Sequence, residues 1–366
     1  SLCFGHISLP FGQAMVIFIL YWEAFPLTTK KTGSQTVTLA CPPSFAGHAN
    51  VVGKKEGEGP LASSFDLIGS DDTFGEATWE KSESAMQKQA LALALDKAGQ
   101  AASAMDWLFA GDLLNQCIGS SFAARGQDIP FFGLYGACST MGEGLALASM
   151  TLDGGFGEWA AVVVSSHFCT AERQYRTPLE YGCQRTPTAQ WTVTGAGAVI
   201  LQRGGDGPCL THVTPGKIVD KGVTDTNNMG AAMAPAAYDT LCAHFQDTGR
   251  GPDFYDCIVT GDLGELGGEL LCELFRQDGI DLSPSYADCG KLMFDIQRQD
   301  VHCGGSGCGC SAAVFTGYLL RELRAGRIKH LLFCPTGALH SPTTAFQGET
   351  IPGICHAVSI SARRDL

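Results

Sequence analysis

A cysteine stands in Gly136-Ala-Cys-Ser-Thr140, where an apolar run over 130–135 turns into an amphipathic stretch. At such a strand-to-helix elbow, backbone N–H groups and the helix dipole favour a thiolate or a bound anion, so Cys138 is placed as a candidate nucleophile. The alternative is a small residue chosen for tight packing. Asp112 and Asp262 each follow an apolar strand in a Gly-Asp-Leu context, where they cap loops or offer carboxylate oxygen to a hard cation. His167 follows a strand end, and His302 lies four residues before Ser306; each is either a general acid–base group or a packing residue. Arg173 and Arg176 offer forked recognition of a carboxylate, or pair with Glu172 or Glu180 in the same polar loop. The turn Gly304-Gly305-Ser306-Gly307 opens a second helix, so Gly305 and Ser306 sit at a second anion-friendly N-terminus. Cys303, Cys308 and Cys310 cluster, but no second C-x-x-C pair completes a zinc site, and no metal centre is expected.

The elements that must position these residues occur twice. Asp106-Trp-Leu-Phe-Ala-Gly-Asp-Leu113 reads against Asp256-Cys-Ile-Val-Thr-Gly-Asp-Leu263 at an offset of 150. Gly99 meets Gly249 at the same offset, each closing a helical run, over 85–98 and 235–248. Gly157 and Gly326 open apolar strands, and Ala198-Val-Ile-Leu matches Ala357-Val-Ser-Ile near the two ends. Four matches in one order identify a tandem duplication. In each half a strand ends in Gly-Asp-Leu, a glycine turn opens a long helix, and another apolar strand follows. The first of these helices runs from near Cys138 to Gly154 with Met141, Leu145, Ala148 and Leu152 on one stripe; the second runs from Gly307 to about Ala325. Alternation of this kind predicts α/β architecture, with two sheets enclosing paired helices.

Composition sets the outer bounds. The chain has 366 residues, 45% hydrophobic and 17% charged, which favours a large core over disorder. Its net charge of −13 disfavours a nucleic-acid partner. Sixteen cysteines in so long a chain read as reduced thiols rather than as a disulfide framework. The apolar segment Met15–Trp22 is shorter than the ~20 residues of a spanning helix, and residues 1–33 are read as an extension outside the fold.

A duplicated α/β chain with Ala-Cys-Ser at an elbow resembles the thiolase superfamily, especially its ketoacyl synthase III-like branch. The resemblance implies a thiolase-like duplicated fold: two pseudo-symmetric α/β halves, 34–205 and 206–366, with layered helices and two mixed sheets. In that branch the elbow cysteine is acylated, and a His and an Asn from the second half complete the site. The repeat register puts them near Thr260-Gly261-Asp262 and in the Gly304–Gly307 turn, and neither residue type stands there. Acid–base help is worth roughly 10²–10⁴-fold and an oxyanion donor about 10²–10³-fold, so ordinary decarboxylative condensation is not expected.

Longer stretches narrow the resemblance. GDLLNQ (111–116), TAERQYR (170–176), EYG (180–182), TVTGAGAVI (192–200), NMGAAMAPAA (228–237), GGSGCGCSA (304–312), TGALHSPT and GETIPGI resemble the stage V sporulation protein AD family, from about 31 to 360. That resemblance implies binding of dipicolinate, free or as its calcium chelate, in the old active-site pocket, for dipicolinate uptake into the forespore. Its implied ligand contacts are Cys138, Asp112, His167, Arg173, Arg176, Asp262, Gly305 and Ser306, with no cofactor. Implied partners are membrane proteins of the dipicolinate channel complex and a second copy of the chain, at the periphery of the spore inner membrane. Two other readings stay open: an acyltransferase or condensing enzyme using Cys138, and a structural subunit with a vestigial pocket.

Overall fold

The computed structural model describes residues 30–175 and 184–364. Ten strands carry the architecture: β1 (Ser44–Val52), β2 (Trp107–Gly111), β3 (Phe131–Leu134), β4 (Trp159–Ser166), β5 (Gly195–Gln202), β6 (Cys209–Thr214), β7 (Cys257–Thr260), β8 (Tyr286–Asp288), β9 (His330–Cys334) and β10 (Ala357–Ser361). Their spatial order is β3-β2-β4-β5-β1 followed by β6-β10-β9-β7-β8, so the second series repeats the first as a mirror across the seam. Hydrogen bonds cross that seam, with Cys209 opposite Ser44 and Leu210 N–H donating to the Pro43 carbonyl at 3.0 Å. The two expected sheets therefore run on as a single thirteen-stranded sheet.

Duplication extends to single side chains. Asp106 Oδ2 accepts from Glu158 N and Trp159 N at 2.7 and 3.0 Å; Asp256 Oδ2 accepts from Lys329 N and His330 N at 2.7 and 2.9 Å. In each half this aspartate fixes the start of the central strand against the strand beside it.

Six helices matter here: α1 (Trp79–Ala98), α2 (Thr140–Asp153), α3 (Phe168–Tyr175), α4 (Met229–Thr248), α5 (Gly264–Gln277) and α6 (Cys308–Val314). The last continues through a π turn, Phe315–Leu319, to Leu320–Arg324. Gly99 and Gly249 close α1 and α4 in the left-handed region at φ of +63° and +67°, as their paired positions predicted. α4 starts earlier than expected: Asn228 caps it by accepting from Ala231 N at 3.3 Å, leaving Pro235 inside the helix. α2 packs on β4 and β10, α6 packs on β5 and β4, and the two helices touch each other.

The strands explain why this layering forms. Along β4, Ala160, Val162 and Val164 face one core, and Ala161 and Val163 face another, so both faces of the strand are buried. The central core holds the α2 stripe, Met141, Leu145, Ala148 and Leu152, all fully buried, together with Val314 and Phe315 of the opposing helix. An outer core under α1 and another under α4 complete a helix–sheet–helix–sheet–helix stack. All fourteen cysteines among the described residues are free.

At the N-terminal edge the fold begins before residue 34. Lys31–Thr32 pair with Thr36–Thr38, and Lys30 Nζ meets Asp153 Oδ2 at 2.7 Å. Met15–Trp22 lies outside the described residues.

Candidate functional site

The elbow is built by its own side chains. Ser139 Oγ donates to the Gly136 carbonyl at 2.7 Å, and Thr140 Oγ1 donates to the Ala137 carbonyl at 2.6 Å. These bonds hold Ala137 at φ +51°, a left-handed conformation that alanine rarely adopts. Strain of this kind marks a residue held for a purpose, and it turns the Cys138 side chain toward a cavity of about 730 Å³.

The second half closes the cavity against the elbow. A hairpin strand, Thr336–Ala338, lies on the elbow so tightly that a Cβ on Gly337 would sit 2.6 Å from the Gly136 carbonyl oxygen. Only glycine permits that approach. Ser306 and Gly307 reach the cavity from the turn before α6, and Trp191-Thr192 pairs with Gly305-Ser306 to hold that turn in place. Gln190 Nε2 donates to the Asp262 carbonyl at 2.5 Å and so ties a third loop to the same point.

Electrostatics at the centre favour neutral groups. Asp262 is fully buried; Thr336 Oγ1 donates to its Oδ1 at 2.7 Å. The Cys138 thiol and the Gly307 N–H approach the same carboxyl, yet Oδ2 keeps no fully formed hydrogen bond. Burial, with the Asp288 charge adding to it, pushes the Asp262 carboxyl up to about 7. The Cys138 thiol is held well above its ordinary range by burial, then by Asp262 and Cys308. The sulfur that a condensing enzyme would ionise is therefore kept protonated here.

Six of the residues singled out from the sequence, Asp112, His167, Arg173, Asp262, Gly305 and His302, are not on the cavity wall. Asp112 spends both oxygens on its own loop, Oδ1 on Leu114 N at 2.8 Å and Oδ2 on Ser120 N and Oγ at 2.7 and 2.6 Å. In the second half Asp288 does that job, accepting from Leu263 N and Gly264 N at 2.9 and 3.0 Å, which frees Asp262 to face Cys138. His167 is buried with Nε2 on the Asp72 carbonyl at 2.7 Å and Nδ1 accepting from Cys169 N. Arg173 lies on a helix, α3, rather than in a polar loop; it pairs with Glu80 and covers the Trp79 ring. Gly305 contributes strand pairing and not a wall of the cavity, whereas its neighbour Ser306 lines it. His302 turns toward Asp300 at 3.4 Å. Arg176 lies outside the described residues.

Other walls were invisible to spacing arguments. Tyr135 and Tyr175 present aromatic surface beside Cys138, Glu172 adds a carboxylate, and His340 comes from the segment after the hairpin strand. Tyr175 OH donates to the Leu113 carbonyl at 2.6 Å, and its ring lies 5.5 Å from that of His340. His340 stood in plain view within TGALHSPT, but nothing in its neighbours marks it as facing a residue some two hundred positions earlier. Among the described lining residues none is Lys or Arg.

This duplicated layered α/β chain, with a strained cysteine elbow facing a central cavity, has a thiolase-like fold of the ketoacyl synthase III kind. Solved structures agree on the fold. The 3-oxoacyl-[acyl-carrier-protein] synthase III of Aquifex aeolicus VF5 is 13% identical with a TM-score of 0.54, covering 87% of this chain and 99% of that one. Cerulenin-bound OleA of Xanthomonas is 17% identical with a TM-score of 0.54, covering 87% and 96%.

Sequence comparison is more specific. Residues 33–361 match the family described as stage V sporulation protein AD. The stage V sporulation protein AD of Bacillus subtilis (strain 168) is 42% identical over 329 residues, covering 90% of this chain and 97% of that protein. The chain belongs to the stage V sporulation protein AD family, and a role in sporulation follows from that membership. Among the described residues, no helix is long and apolar enough to cross a membrane.

Proposed function

We propose that the protein binds dipicolinate, free or as its calcium chelate, in the cavity beside Cys138 and serves its uptake into the forespore. The observation that carries this reading is the state of the elbow. The nucleophile position is retained and faces a cavity, but burial, and after it the buried carboxyl of Asp262, keeps the thiol protonated. Such a centre suits a ligand better than an acyl-enzyme.

The walls match a flat, doubly acidic ring in kind. Tyr135 and Tyr175 offer aromatic faces, while Ser306 and Asn227 offer polar groups for carboxylates. For the chelate, Glu172 is the carboxylate among the described lining residues that its calcium ion would meet. Under this reading membrane proteins of the dipicolinate channel and a second copy of the chain are its partners, at the periphery of the spore inner membrane.

Titration calorimetry of the folded protein with dipicolinate, its calcium chelate and a monocarboxylate analogue tests the proposal. Binding of both forms, lost in Cys138→Trp because the indole fills the cavity, is expected. Folded wild-type protein that binds neither form would leave only a structural role. The acyltransferase reading predicts a mass adduct on Cys138 after incubation with acyl-CoA, and none is expected.

A further inference from the structure

His340 is a cavity side chain with an unclaimed buried nitrogen. Its Nδ1 is shut off from solvent and has no hydrogen-bond partner among the described residues. The buried histidines near the two helices are already tied down. His48 is on the Thr316 carbonyl at 2.6 Å, His167 on the Asp72 carbonyl at 2.7 Å, and His244 is between Thr214 and Tyr255 at 2.7 and 2.6 Å. An unpaired imidazole nitrogen in a buried wall costs free energy unless something in the cavity completes it.

The ligand proposed above supplies what is missing. A dianion entering this cavity meets no Lys or Arg among the described lining residues. Buried charge without a counter-charge is strongly disfavoured, so the ligand's charge must be compensated as it enters. Among the described lining residues His340 is the one group that gains positive charge by taking a proton.

We infer that dipicolinate enters together with one proton, and that the imidazole of His340 carries this proton and donates it in a hydrogen bond to a ligand carboxylate. The inference rests on the proposed function. The balance is simple: one proton leaves the buffer, one N–H bond forms on the ring, and no other bond changes. Titratable groups face His340 from two elements. From α3 these are Tyr175 and Glu172; from the elbow, Tyr135 and Cys138, with Asp262 behind the sulfur. Burial holds His340 below its ordinary value, so the empty site is neutral near pH 7, and an anion at the ring raises it. Asp262, poised near 7, is the other group able to take the proton.

Calorimetry in two buffers of different ionisation enthalpy counts the protons directly. Wild-type protein is expected to take up about one proton per dipicolinate, with affinity falling by up to about tenfold per pH unit above neutrality. His340→Gln should bind more weakly, with no uptake and a flat pH profile, while Asp262→Asn keeps the uptake. Binding by wild type without uptake overturns the inference and leaves the binding function standing. So does unchanged uptake in His340→Gln, or its loss in Asp262→Asn. No binding by folded wild type overturns both.

Discussion

At the scale of single residues, the molecule shows how one inherited position changes chemistry through its neighbour. Asp112 and Asp262 are equivalent by register, yet the first is consumed by Leu114 and Ser120, and the second is released by Asp288 to face a thiol. A carboxyl beside a sulfur opposes the thiolate, and burial opposes it more. Cys138 should therefore react with iodoacetamide at pH 7 far more slowly than an unburied thiol, as timed alkylation and peptide mass mapping will show. Asp262→Asn should leave it slow, because burial is the larger cause; a fast Cys138 in that variant would make the carboxylate the governing group. For the ligand, Cys138→Ala should reduce dipicolinate affinity by less than about tenfold, since a thiol gives contact and not charge.

At the scale of elements, the cavity exists because loops are held by glycine and by strand-end bonds. Gly307 has φ +91° and ψ 154°, a region essentially closed to side chains. A Cβ there would stand 2.7 Å from Ser166 Oγ and 3.1 Å from Thr192 Cγ2. Ser166 Oγ cannot retreat freely, since it donates to the Val193 carbonyl at 2.6 Å and accepts from Gly309 N at 3.1 Å. Gly307→Ala should cost about 1–3 kcal/mol of stability in urea denaturation, and should weaken dipicolinate binding by tilting the N–H that meets the site. This turn was legible in the sequence: glycine clusters at a strand-to-helix step announce themselves, and so did the elbow and both left-handed caps. α3 was not. The stretch that reads as a polar loop around Arg173 is a helix, because Thr170 Oγ1 bonds back to the His167 carbonyl at 3.0 Å and starts a turn. Arg173 was then captured by Glu80 of α1, a contact that no local spacing encodes.

At the scale of the whole molecule, duplication was readable because equivalent residues keep their order, whereas most of the cavity wall beyond Cys138 and Ser306 was not, because it is assembled from segments distant in sequence. Tyr135, Tyr175 and His340 meet there only through the packing of α2 against α6 and the close approach of Gly337 to the elbow. The same packing buries acids and histidines deep in the stack, and their opposing titrations set how stability follows pH. His48, His212 and His356 are pushed down to about 4, and His244 to about 3, each chiefly by burial. Between pH 4 and 6.5 the unfolded chain holds protons that these native histidines refuse, so they make stability rise with pH. Glu56 and Glu83 are pushed up to about 8 by burial, Asp262 to about 7 and Asp288 to about 6. Native protein keeps those protons after the unfolded chain has released them, so the acids make stability fall as pH rises through the same window and on to pH 8. Below 6.5 the two sets oppose each other and stability should change little. Above 6.5 the histidines are neutral in both states, and Glu56, Glu83 and Asp262 remain, each able to remove up to ~1.4 kcal/mol per pH unit. Urea unfolding at pH 6, 7 and 8 should therefore show a decline. Glu56→Gln and Glu83→Gln should each make that decline shallower, because an amide reproduces the neutral acid and does not ionise. Glu56 is the sharper test, since its Oε2 has no partner to lose while Oε1 accepts from Thr194 N at 3.0 Å. A Glu56→Gln protein with the wild-type slope would mean that this carboxyl is already ionised in the folded state at pH 7.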